Sequence, residues 1–291
     1  MVPSGVWVRV PPPAPRSRQG ATVTTIRKAT ADDLPAIVEI TRRAREQRAS
    51  WEPEFFSPAA GADAAHEAYL GSLLDSSDAV ARVVASGDEV VGCAFAVRQQ
   101  DRWIVDDIAT LDEGWWSDGM IELLRAVSER PAAMCVPRQH IRLVGCSTTV
   151  GLRPRSAYWR LSLAGTDTAP PADVETVAPP TELPAASLHT FAPTDPAAAT
   201  VLADGSGGYA VLAPSTEAPP VYDPGGTTGL VDRVAGRRGS LVDAATAIAG
   251  TRRDAQLVVV CGEDDPVLED ALVDRGFRRV VDVYAWPTPS A

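Results

Sequence analysis

At 291 residues and 45% hydrophobic content the chain is long enough to bury two cores and sits in the globular range. A formal net charge of −11 argues against a nucleic-acid partner, which needs a concentrated Lys/Arg face, and disfavours anionic membrane surfaces. No apolar run reaches the roughly 18 to 20 residues that span a bilayer, so a soluble, cytoplasmic protein is expected.

In chain order, residues 1–22 are rich in Pro, Ser and Arg (MVPSGVWVRVPPPAPRSRQGA). They lack the apolar stretch of a signal peptide and cannot build a helix or a central strand. They read as a disordered tail or, the favoured reading, as a mis-assigned start, with Val23 one candidate for the true beginning. TVTTIRKAT is a β-branched first strand. Thr30 then caps a helix over ADDLPAIVEITRRAREQ, whose acids come early and bases late, as the helix dipole prefers. After WEPEFFSP, the string ADAAHEAYLGSLLDS is a second helix. AVARVVA and VVGCAFAVRQ are strands joined by a Ser-Gly-Asp hairpin turn, and RWIVDDIATL is a further strand. MIELLRAVSE (helix), AAMCVP (strand), RQHIRLVGCSTTVG (helix) and RSAYWRLSL (strand) complete a β-α-α-β-β-β-α-β-α-β unit over 23–163.

A Pro/Ala-rich linker is expected at 164–194. Beyond it, over 195–288, AATVLAD, GYAVLAPS and TTGLVDRV read as strands. SLVDAATAIAGTR is a helix, AQLVVVC a buried strand, DDPVLEDALVDRG a helix and FRRVVDVYAWP a closing strand. This repeats the second half of the first unit without its opening helices.

The element order and the strings IRKATADDLPAIVEI, VVGCAFAV and WIVDDIATL resemble the GNAT N-acetyltransferase superfamily. VLEDALVDRGF resembles the family's helix that closes on Gly-Phe. The resemblance implies an α/β fold with a mixed sheet, here as two units in tandem with the second shortened. It implies transfer of an acyl group from acetyl-CoA or another acyl-CoA to an amine, on a small molecule or a protein. The alternative is a non-catalytic GNAT-derived module that binds a ligand or partner.

In that family the CoA pyrophosphate lies on backbone N–H groups of a Gln/Arg-x-x-Gly-x-Gly/Ala loop opening a helix, where orphan donors and the dipole favour anions. In the first unit this junction is IATLDEGWWSDGMIELL. It puts Trp115 at the Arg/Gln position and Trp116 and Asp118 at glycine positions. Asp112, Glu113 and Asp118 repel phosphate, which speaks against ordinary CoA binding by the first unit. In the second unit the junction carries Gly236, Arg237, Arg238, Gly239 and Ser240, the better phosphate loop by composition. An exposed turn with a helix cap is the commoner meaning of such a string.

The resemblance marks the acidic pair Asp106 and Asp107 as the catalytic candidates, one of them a base for the amine. Strand alternation would point one into the cleft and the other away. The family's tyrosine acid is missing from RQHIRLVGCSTTVG, and the matching position of the second unit is Leu272. Cys93, Cys135, Cys146 and Cys261 form no Cys-x-x-Cys pair, and His66, His140 and His189 have no metal-ligand spacing with them. Free thiols and no metal are expected. His66 reads as a helix residue without a nucleophile beside it, and Tyr222 with Asp223 as part of a turn.

Overall fold

The computed structural model describes residues 24–99, 102–111, 118–127, 132–165, 168–178, 199–214 and 228–286. The expected tail, His189, Tyr222, Asp223, Trp115 and Trp116 lie outside them. The first unit runs β1 (Thr24–Lys28), α1 (Leu34–Trp51), α2 (Pro53–Phe56), α3 (Ala62–Leu74), β2 (Ala79–Ser86), β3 (Glu89–Gln99) and β4 (Arg102–Thr110). It continues with α4 (Asp118–Val127), β5 (Ala132–Pro137), α5 (Ile141–Thr149) and β6 (Arg153–Ser162). The remainder is β7 (Glu175–Val177), β8 (Thr200–Ala203), β9 (Tyr209–Pro214), β10 (Thr228–Ala235), α6 (Arg238–Thr251), β11 (Gln256–Gly262), α7 (Pro266–Asp274) and β12 (Arg278–Ala285). The order expected from sequence is present in both units. The stretch expected to be linker adds the short edge strand β7, paired antiparallel with β8.

Local chemistry explains the element ends. Pro35 occupies the first turn of α1, where a missing N–H costs nothing. Asp265 caps α7 by accepting from Leu268 N at 3.1 Å. That helix stops at Gly276, whose φ of 78° suits glycine. The amides of Gly276 and Phe277 return to the carbonyls of Val273 and Leu272, and Phe277 joins Leu272 in the core.

The twelve strands of the described residues form one sheet in the order β1-β2-β3-β4-β5-β12-β6-β11-β10-β9-β8-β7. The two units therefore share a continuous sheet and exchange their closing strands. β12, from the second unit, lies antiparallel to β5 (Val283 opposite Cys135). β6, from the first, lies antiparallel to β11 (Tyr158 opposite Val260). β6 and β12 pair with each other at the centre.

Helices α4 and α5 pack on one face through Met120, Leu123, Leu124, Leu143 and Cys146. Helices α6 and α7 continue that layer through Leu241, Ala244, Ala245, Leu268 and Leu272. The small alanines of α6 let it approach its strands closely. The opposite face belongs to the first unit's opening helices. Ile37, Ile40 and Leu70 cover Val83, Cys93 and Phe95. Phe56 of α2 shares a buried cluster with Tyr158, Val258, Leu230 and Val283, from strands of both units. The second unit has no opening helices among its described residues, and α2 of the first covers part of the corresponding surface.

Candidate active site

β4 and β5 run parallel but pair only at Trp103–Ala132, Ile104–Ala133 and Val105–Met134. β4 continues to Thr110 without further pairing to β5 among the described residues, so the sheet opens into a wedge. On its other side β4 pairs with β3, and the register slips there. Phe95 lies opposite Asp107 and Ala96 opposite Val105, which leaves Asp106 as the extra residue of a β-bulge.

The bulge corrects the expectation that the two aspartates point to opposite faces. Two consecutive side chains emerge on the α1–α3 face. Tyr69 Oη donates to Asp106 Oδ2 at 2.8 Å, and His66 Nε2 lies 2.7 Å from Asp107 Oδ2. Both partners come from α3, three positions apart and so on one helix face. Val105 and Ile108, either side of the pair, sit in the α4–α5 core on the reverse face.

The surroundings drive the two carboxyls apart. Burial, with the charge of Asp107 added, pushes Asp106 up to about 6 despite the Tyr69 hydrogen bond. Burial also works against ionised Asp107, but the His66 hydrogen bond and the guanidinium groups of Arg48 and Arg45 outweigh it, and its carboxyl lies below the ordinary range. Arg48 Nη1 stands 3.7 Å from Asp107 Oδ1. Arg45 contacts both His66 Nδ1 and Asp63. Burial, with Asp106 adding to it, raises the Tyr69 phenol, so it remains a donor. His140, edge-on to Trp51 at 5.2 Å, is lowered to about 4 by burial and by Arg48, and is neutral at pH 7. Cys135 Sγ and Tyr158 Oη lie 3.4 Å apart on the same face.

The second unit repeats this construction without the helices. β10 and β11 pair in parallel from Thr228–Gln256 to Val231–Val259 and then part. The β10–β9 register slips at Asp232, so IVDDIA of β4 corresponds to LVDRVA of β10. Asp232 is buried and pushed up to about 6, by burial outweighing the attraction of Arg233. Its Oδ1 accepts from Arg233 Nη1 at 3.0 Å.

The five loop residues expected to hold phosphate lie at the start of α6, in this second unit and away from Asp106 and Asp107. Asp204 Oδ2 accepts the Arg237 amide at 2.7 Å, and Oδ1 accepts from Gly208 N and Ser206. Arg237 Nη1 donates to Asp173 at 2.7 Å. Arg238 pairs with Asp265 and donates to the Gly236 carbonyl. Gly236 has φ 89°, and a Cβ there would lie 2.3 Å from Gly208 Cα. Gly239 packs against the Arg275 guanidinium, and Ser240 sits in the first turn of the helix without capping it.

The wedge, the bulge and the tandem repetition together invite comparison with solved structures. A crystal structure titled GCN5-related N-acetyltransferase from Sphaerobacter thermophilus aligns over 92% of this chain and 98% of its own, at TM-score 0.50 and 13% identity. The fold is that of the GCN5-related N-acetyltransferases. A tandem GNAT protein from the clavulanic acid biosynthesis pathway aligns over 92% of this chain and all of its own, at TM-score 0.46 and 16% identity. An acetyltransferase from Thermoplasma acidophilum, solved in complex with coenzyme A, aligns over 45% of this chain and 91% of its own, at TM-score 0.37 and 14% identity. No protein-family model and no curated protein matches the sequence. Within this GNAT fold the described residues hold no group of three or more metal-ligating side chains. None of the described helices is long and apolar enough to cross a membrane.

Sequence reasoning singled out Asp106 and Asp107 on the fourth strand but missed His66, Tyr69, Arg45 and Arg48. Their signal was the three-residue spacing of His66–Tyr69 and of Arg45–Arg48, which sets each pair on one helical face. Nothing local to those helices says which strand they meet.

Proposed function

We propose that the chain is a divergent GNAT-type N-acyltransferase whose chemistry belongs to the first unit, with Asp106 as general base. The observation that carries this is the bulge that sets two carboxyls on one face and splits their proton affinities. Such a split assigns distinct roles to paired acids. Asp107 is the fixed anion, and Asp106 exchanges its proton close to working pH.

Acyl-CoA supplies the activated thioester. Asp106 takes the proton from the incoming ammonium. The C–N bond then forms, the C–S bond breaks, the nitrogen releases its second proton to solvent as the amide is made, and the departing thiolate takes one up. Backbone N–H groups on the wedge side of β4, past its last pairing with β5 at Val105, are the donors suited to a developing oxyanion. Residues 112–117, where the family carries its pyrophosphate loop and where the sequence of this unit speaks against ordinary CoA binding, lie outside the described residues. For the second unit, Arg237 and Arg238 engaged by Asp204, Asp173 and Asp265 favour a supporting role over a second acyl-CoA site.

Calorimetric titration with acetyl-CoA, followed by an amine screen, tests the proposal. Binding should appear, and Asp106→Asn should retain it while losing at least 100-fold in acyl transfer. The rate should fall below about pH 6 as Asp106 is protonated. Absence of binding heat at millimolar acetyl-CoA would replace this reading with the non-catalytic one.

A further inference from the structure

Behind the Asp106–Asp107 pair lies a buried chain of polar side chains. Arg45 of α1 and His66 of α3 are 2% and 4% exposed, and Asp107 is 6% exposed. Arg45 contacts His66 Nδ1 with one guanidinium nitrogen and Asp63 with the other. His66 Nε2 faces Asp107 Oδ2 at 2.7 Å. A guanidinium only donates, so Nδ1 must present its lone pair to Arg45. The ring proton then sits on Nε2 and is donated to Asp107. Asp106 meets instead the neutral phenol of Tyr69, whose ring stacks on His66 at a 6.3 Å centroid distance and 17° between planes.

We propose that Arg45 is a positioning residue for this site: acting through His66, it fixes the imidazole proton towards Asp107, so that Asp107 stays anionic and Asp106 alone carries the pair's exchangeable proton. Arg45 touches no reacting group, and its kinetic consequence rests on the acyltransferase reading above. The proton's location on His66 does not. Among the described residues, the titratable and charged groups that act on the pair are Arg45 and Arg48 from α1, His66 and Tyr69 from α3, and Cys93 from β3. Of these, Arg45 is the one that binds the far side of the imidazole. Asp63, 64% exposed at its side chain, holds that guanidinium from the solvent side.

Ring-nitrogen NMR of the ¹⁵N-labelled full chain at pH 7 should show His66 protonated at Nε2 and bare at Nδ1. In Arg45→Met, which keeps the length and apolar packing of the stem, Nδ1 should gain proton occupancy. The Asp106 carboxyl, followed by ¹³C, should then titrate at lower pH, because a proton gained on Nδ1 puts positive charge beside the pair. In the acyl-transfer assay the acidic limb of kcat/KM should move with it, with at least a threefold loss at pH 7 and an unchanged KM for acetyl-CoA. His66→Gln, which keeps a donor for Asp107, should preserve the limb better than His66→Phe. Should Arg45→Met fail to fold, Asp63→Asn loosens the same guanidinium from outside and should shift the same signals in the same direction. A proton on Nδ1 in the wild-type protein would overturn the proposal, as would a folded Arg45→Met with unchanged His66 and Asp106 signals. If acetyl-CoA does not bind, the acyltransferase reading falls, and the two NMR measurements still decide the role of Arg45.

Discussion

Val283→Ala tests whether the exchanged strands make the two units one cooperative body. Val283 is fully buried in β12, in a cluster with Tyr158, Val260 and Phe56. It lies opposite Cys135 of β5 and Ser156 of β6. Truncation removes two methyl groups, about 1.6 kcal/mol of transfer free energy at about 0.8 kcal/mol each, and the residual cavity brings the cost to about 2 kcal/mol or more. Native-state hydrogen exchange read by mass spectrometry is the assay. If β12 belongs equally to both units, amides of β4 and β5 and those of β10 and β11 should accelerate together, by roughly 30-fold for about 2 kcal/mol. Denaturant unfolding should keep a single transition at a lower midpoint. Acceleration confined to β10 and β11, with Trp103–Val105 and Ala133–Met134 unchanged, would refute the reasoning and show that the first unit closes without its borrowed strand.

Two further outcomes follow from capping and backbone geometry. Asp33 receives Arg27 through two 2.7 Å bonds and the Thr30 amide at 2.8 Å, and the Arg27 hydrogen bond, first among these, holds its carboxyl well below the usual range. With Arg27 43% exposed, solvent screening limits the loss in Asp33→Asn to about 1 kcal/mol. A depressed carboxyl stabilises above its unfolded pKa near 4. Wild type and variant should therefore differ in denaturant midpoint at neutral pH and converge as the pH falls through the acid range; a gap that persists at low pH would contradict the assignment. Gly236→Ala must place a Cβ at φ 89° against Gly208 Cα. It should cost about 2 kcal/mol or more in thermal or denaturant unfolding, and a neutral result would mean that the Asp204 turn yields easily.

Element order was legible because each helix and strand carries its own period and punctuation. LEDALVDRGF announces a helix that ends on glycine with a buried aromatic after it, and the chain obeys through Gly276 and Phe277. Asp106 and Asp107 were legible as acids on the wedge strand, but their orientation was not. A bulge is a two-against-one count between neighbouring strands, so it depends on how Phe95 and Ala96 register against β4, which no window around IVDDIA reveals. His66 was invisible as a site residue for a related reason. Its partners, Arg45 and Asp107, stand 21 and 41 positions away and meet only through packing of α1 and α3. The phosphate-loop reading of Gly236–Ser240 recognised glycines and cations and missed Asp204, whose carboxylate arrives from a different turn to bind the Arg237 amide. The strand exchange has no local signature, since β6 and β12 would read the same if each stayed with its own unit.

The position of β12 has a consequence for how the chain is made. β5 ends at Pro137 and its neighbour begins at Arg278, about 140 residues later. At roughly 5 to 20 residues per second of synthesis, β5 waits about 7 to 28 s on the ribosome with that edge bare. Through this interval the edge of β5 that β12 covers in the finished sheet has not met its partner. That edge is a template for any extended segment, including β12 of another nascent copy. Folding yield should therefore depend on how fast residues 138–277 are translated and how closely ribosomes follow one another on the message.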